Sequence, residues 1–190
     1  RIWLYDQLGF SAAHIQERLM RRQPAWRAQE LTALQKDIEG PVTVRLAAPG
    51  RAVAVAAIRL DAGGSPSGPP LNLTASLKDG RLNKAMPAGK FRIMVFYETP
   101  GGFDYMSSTA AGRLLNYVHG EYERKLKPYL GTTIPGTFQD ELPPMNRWTR
   151  AFLDEFAKRK GYDLRPYLAM LWYDLGARTT KVRCDVADVQ

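Results

Sequence analysis

Hydrophobic positions along the 190-residue chain change their period more than once. Ile2, Trp3, Leu4 and Tyr5 read as a strand with Asp6 at its end. Residues 11–22 then read as a helix, capped by Ser11 and carrying Ile15 and Leu19 at helical spacing. From Trp26 to Ile38 the pattern is ambiguous: Leu31, Leu34 and Ile38 suit a helix, with tertiary context able to override that propensity. Between Gly40 and Thr99 the period drops to two. Val42, Val44 and Leu46 alternate, Val53 and Val55 follow, and an apolar run fills 91–97. Turn signals at Pro49-Gly50, Gly63-Gly64 and Asp79-Gly80 divide these runs, and the composition of 63–70 reads as a flexible loop. The pattern predicts a small antiparallel β unit of about four to six strands.

Beyond Thr99 the helical period returns. Residues 107–129 give the clearest helix, capped by Ser107 or Ser108, with Leu114, Val118, Tyr122 and Leu126 on one apolar stripe. A short strand follows at 134–138, entered through Gly131 and closed by Pro143-Pro144. Trp148-Thr149 then leads into a helix over about 150–160, buried through Phe152 and Phe156 and ended by Gly161. A second short helix is predicted near 166–175.

Chemistry gathers after the 134–138 strand. Asp140 and Glu141 stand at its C-terminal end, just before the proline pair. A strand that ends in acids and breaks into a loop is how a parallel α/β barrel presents a catalytic group, although solvated loop acids are the plainer alternative. Neighbouring residues on an extended chain point to opposite sides, so at most one of the two faces a common pocket. His119 flanks the long helix's apolar stripe, where a packed histidine and a pocket histidine are both admissible.

Composition sets outer limits. An apolar fraction of 45% suits a globular chain of one domain, or one domain with an insertion. The net charge of +8 raises nucleic acid as a partner. The basic residues are scattered, however, and Lys158, Arg159 and Lys160 share a helix with Asp154 and Glu155, so solvated faces account for them. No apolar run approaches the roughly 20 residues of a membrane span. One cysteine, Cys184, excludes an internal disulfide, and two histidines without metal-ligand spacing argue against zinc. The chain opens at Arg1 inside a strand-like run and stops at Gln190, so it is read as a piece of a longer protein whose remainder is a partner.

Three stretches, taken together, resemble bacterial glycoside hydrolases related to the α-L-rhamnosidases of glycoside hydrolase family 106. They are IWLYDQLGF at 2–10, TIPGTFQDELP at 133–143 and RWTRAFLDEFAKRKGYDLRPYLAML at 147–171. The β-rich stretch ending in Pro87-Ala88-Gly89-Lys90-Phe91-Arg92 sits where such proteins carry an inserted β unit. The resemblance implies a portion of a (β/α)8 TIM-type barrel, with barrel segments at 1–39 and 100–190 and the β insertion at 40–99. It implies Glu141 as general acid, with Asp6, His119, Asp140 and Trp148 contacting a carbohydrate substrate. A secreted or periplasmic location and a bound Ca2+ also belong to what it implies; no calcium-loop spacing is present. Gln7 stands where the family carries Glu, and Ser11-Ala12-Ala13 replaces its Pro-Ser-Gly turn. Gln7 supports a second reading, a catalytically silent carbohydrate-binding or scaffolding module.

Overall fold

Short turns after each apolar run decide most of the architecture. A computed structural model describes residues 1–5, 13–138 and 147–190. In chain order the main elements are β1 (Trp3–Tyr5), α1 (Ala13–Arg22), β2 (Arg27–Ala47), β3 (Arg51–Leu60), β4 (Pro66–Asn72), β5 (Leu77–Lys78) and β6 (Arg81–Phe103). They continue with α2 (Ser108–Leu126), β7 (Gly136–Phe138), α3 (Phe152–Lys160) and α4 (Arg178–Val189). Two compact units result, each from two stretches of chain: Arg1–Gln29 with Pro100–Thr149, and Glu30–Thr99 with Arg150–Gln190.

The second unit is built on a sheet of order β2-β6-β3-β4, with β5 pairing to β6. In β3 the residues from Val53 to Ile58 are all buried, because that strand lies between two neighbours and both of its faces are covered. One face carries Val55, Ala57, Phe91, Ile93 and Val95, packed with Val44, Leu82 and Met86. The other carries Ala54 and Ala56 opposite Phe96 and Met94. There the Phe96 ring meets Trp172 at 5.3 Å, just beyond the short 3-10 helix Arg165–Leu171. Arg92, on the same face, donates to Asp37 Oδ1 and Oδ2 at 2.7 Å and to the Tyr173 hydroxyl at 3.0 Å. Tyr173 in turn donates to Gln35 at 2.6 Å. The prolines of β4 are admitted because it is an edge strand, so the 63–70 stretch read as loop is partly strand.

The first unit packs α1 against α2 through Leu19, Met20, Leu114 and Val118, with Phe103 and Ala110 completing the cluster. Tyr105 accepts a hydrogen bond from Gln16, and burial pushes its phenol up to about 12. Beside the helices, β1 and β7 form a two-stranded parallel sheet, Trp3 opposite Gly136, Leu4 opposite Thr137, Tyr5 opposite Phe138.

The expected barrel portion does not form. Strands hold 41% of the residues, the sheet is mostly antiparallel, and the described residues contain no barrel. The two-residue turn Asp79-Gly80 joins β5 to β6, far too short for a crossover, and such a turn can only reverse the chain. Among the described residues, parallel pairing is found between β1 and β7, three residues each, and in the single bridge between Leu130 and Ile134. No helix among the described residues is long and apolar enough to cross a membrane.

Candidate functional site

The first unit gathers its polar side chains around α2. Ser107 starts this helix by accepting from the Ala110 N–H at 3.3 Å. Ahead of it, Asp104 is 3% exposed and accepts from the Met106 and Ser107 N–H groups at 3.1 and 3.2 Å. Its second oxygen accepts from the Thr149 hydroxyl at 2.6 Å. A carboxylate at a helix N-terminus is favoured by the helix dipole, and here it also ties the 148–149 segment to the start of α2.

Burial of Ala110, Leu114 and Val118 fixes the rotation of α2. That rotation brings His119, Glu123 and Lys127 into one row, since each lies four residues beyond the last. The row faces the sheet formed by β1 and β7. Leu4 and Thr137, paired in register, share the sheet face on the helix side. Between helix and sheet lies a hollow of about 350 Å³, lined by Leu4, His119, Tyr122, Glu123, Lys127 and Thr137 among others. The His119 and Tyr122 rings meet edge to face at 5.7 Å. On the opposite sheet face Trp3 covers Gly136, where an added Cβ would lie 3.0 Å from the indole. Tyr5 and Phe138 stack beside it at 4.9 Å.

The loop feeding β7 is held by its backbone. Ile134 N–H donates to Tyr129 O at 2.9 Å, and Gly131 N–H to Ile134 O at 2.8 Å. Ile2 N–H reaches Thr133 O at 2.8 Å, continuing the β1 alignment backwards by one step. Both strands therefore run in one direction and end at one edge of the sheet.

His119 is among the residues that line the hollow. Trp148 is not: it is 5% exposed, its carbonyl accepts from Gln29 N–H at 2.9 Å, and a ring so enclosed offers no face to a sugar. Asp6, Asp140 and Glu141, together with Gln7, lie outside the described residues. Glu123 and Lys127 were not singled out from the sequence, although a four-residue step onward from His119 would have found them. The same holds for Asp104, whose capping role is signalled by its place three residues before Ser107.

A size of about 350 Å³ is at the small end for ligand pockets and suits one or two sugar rings. Imidazole, carboxylate and ammonium on one wall can donate to and accept from hydroxyls, while Leu4 and Ile134 supply apolar surface for a ring face. No group of three or more His, Cys, Asp or Glu converges among the described residues. No family model matches the chain, and no curated protein matches its sequence.

Proposed function

We propose that the chain carries part of the active site of a glycoside hydrolase, with Glu141 as the general acid. One observation supports this above the others: β1 and β7 are parallel and in register beside the hollow that contains His119. Tyr5 and Phe138 end the paired strands at one edge of one sheet; in sequence Asp6 follows Tyr5 directly and Glu141 follows Phe138 by three residues. Three residues of chain reach no further than about 11 Å. The three stretches that resemble the α-L-rhamnosidase-related hydrolases include both of these strand ends.

In this reading the protonated Glu141 carboxyl gives its proton to the glycosidic oxygen as the bond from that oxygen to the anomeric carbon breaks. A second carboxylate activates water or attacks the anomeric carbon. Asp6 holds a sugar hydroxyl, His119 donates to or accepts from another, and Glu123 and Lys127 extend the same polar wall; with Glu141 facing the sugar, Asp140 points away from it.

The test is turnover of an unactivated glycoside by the intact protein carrying Glu141→Gln. Loss of a general acid lowers turnover by about 10²–10⁴-fold. Turnover equal to wild type would remove Glu141 from the role. Oligosaccharide binding with no product released, by wild type and variant alike, would establish the silent carbohydrate-binding reading instead.

A further inference from the structure

A second hollow lies in the first unit, between α1 and α2, with a volume of about 360 Å³. Its lining is Leu19, Arg22 and Trp26 from one side and Arg113, Asn116 and Tyr117 from the other. We infer that it is a saccharide subsite selective for a sugar bearing an oxyanion, a uronate carboxylate or a sulfate ester. The oxyanion is held between Arg22 and Arg113, and the ring lies against Trp26. The saccharide part of this inference rests on the hydrolase reading above; the oxyanion part rests on the hollow alone.

Charge carries the argument first. Among the described residues, two guanidiniums line the hollow and no carboxylate does. Glu17, the acid carried by α1, is taken up by Arg21 at 3.0 Å. Arg18, one turn before Arg22, donates to the Tyr117 hydroxyl at 3.3 Å and adds a third guanidinium at the rim. An arginine in the last turn of a helix is explained by the helix dipole, and that accounts for Arg21 and Arg22. It does not account for Arg113, which lies in the N-terminal half of α2, in a helix with no acid in its first turn. Both guanidiniums are exposed, so water and salt screen them from one another, and an anion entering the hollow can be shared between them. A planar fork matches the two oxygens of a carboxylate or a sulfate bidentately.

The remaining lining selects what carries the anion. Trp26 is half-buried and packed on the α1–α2 core, so its indole is a firm apolar wall. Leu19, 5% exposed, closes the floor. Asn116 offers both a donor and acceptors for a ring hydroxyl. An inorganic anion would use the arginines and leave that apolar wall idle; a ring with one apolar face uses both.

Trigalacturonate, a sulfated galactose trisaccharide and neutral galactotriose serve as probes, titrated into the wild-type chain and into Arg22→Gln, Arg113→Gln and the double variant. Calorimetry gives affinity, and the Trp26 indole N–H resonance reports the site directly. One or both acidic trisaccharides bind and shift that resonance, and the better of the two identifies the oxyanion. Each substitution weakens binding by about ten-fold, the double variant abolishes the shift, and galactotriose binds weakly to all four proteins. Trp26→Phe, with both arginines kept, weakens the acidic trisaccharides but not free sulfate.

Equal binding of acidic and neutral probes would overturn the inference. So would wild-type affinity in the double variant, or free sulfate matching the sulfated trisaccharide. The two proposals fail separately: Glu141→Gln with full turnover removes the hydrolase reading and leaves the Trp26 response standing. An inactive Glu141→Gln with no Trp26 response to either acidic probe removes this site alone.

Discussion

Val53–Ile58 in β3 and Ile2–Tyr5 around β1 are similar apolar runs with opposite fates. Every residue of the first is buried. In the second, Ile2 and Trp3 are 58% and 57% exposed, and Phe138 of the partner strand is 47% exposed. Composition does not separate them; the number of covered sides does. β3 has a strand on each edge and side chains packed over both faces, whereas β1 has one strand neighbour and a hollow over one face. The long antiparallel ladder of the second unit holds stability. The short parallel pair of the first unit has no fully buried residue, and in sequence Asp6 and Glu141 follow its two strands. A site at the ends of short strands can vary its loops without disturbing a core.

Cavity formation separates the two regions most sharply. Phe96→Ala removes a fully buried ring that meets Trp172, and should cost about 3–5 kcal/mol of unfolding free energy. Phe138→Ala removes a half-exposed ring paired with Tyr5, and should cost no more than about 1 kcal/mol. Urea denaturation of both variants checks the contrast, and comparable losses would dissolve it.

Within the first unit the largest loss short of a cavity belongs to Asp104→Ala. It strands the Thr149 hydroxyl and the Met106 and Ser107 N–H groups in a buried place, which costs about 2–3 kcal/mol. Because Asp104 ties down both the start of α2 and residue 149, binding of the proposed saccharide should weaken together with stability. Loss of stability with unchanged affinity would show that the hollow does not depend on this cap.

The sequence was most readable where local chemistry acts alone. Ser107 caps α2 as its position predicts, and Gly161 takes the left-handed conformation, φ 74°, that ends α3. Gly161→Ala should therefore cost about 1 kcal/mol, read from the same denaturation curves. Stretch 26–38 was unreadable for a definite reason. Leu34 and Ile38 are four residues apart, a spacing that is one helical turn and also two strand repeats. In β2 they pack with Val44 and Leu46 on one sheet face, so the even positions carried the strand signal. Antiparallel pairing within 40–99 was legible because short turns such as Asp79-Gly80, between β5 and β6, reverse the chain, whereas the barrel implied by the resemblance had no such local signal and does not form among the described residues. At the site, His119 was legible as a residue beside an apolar stripe, whereas the enclosure of Trp148 depends on residues far along the chain, Gln29 among them.

The smallest effect tests the second unit's surface. Arg92 holds the Asp37 carboxyl below its ordinary value of 3.8, chiefly through their direct hydrogen bonds. Arg92 is itself pushed further above its usual range, without consequence in water because a guanidinium stays charged throughout. A carboxylate whose pKa falls on folding stabilises the fold above its unfolded pKa and loses that contribution as pH drops through the folded value. Asp37 is half exposed, so solvent screening limits the pair to about 0.5–1 kcal/mol. The stability difference between wild type and Asp37→Asn should be constant from about pH 5 to 8, shrink below about pH 4, and shrink again in high salt. A difference that grew on acidification would mean that Asp37 is the weaker partner of Arg92, and that Tyr173, anchored on Gln35, holds the guanidinium in place.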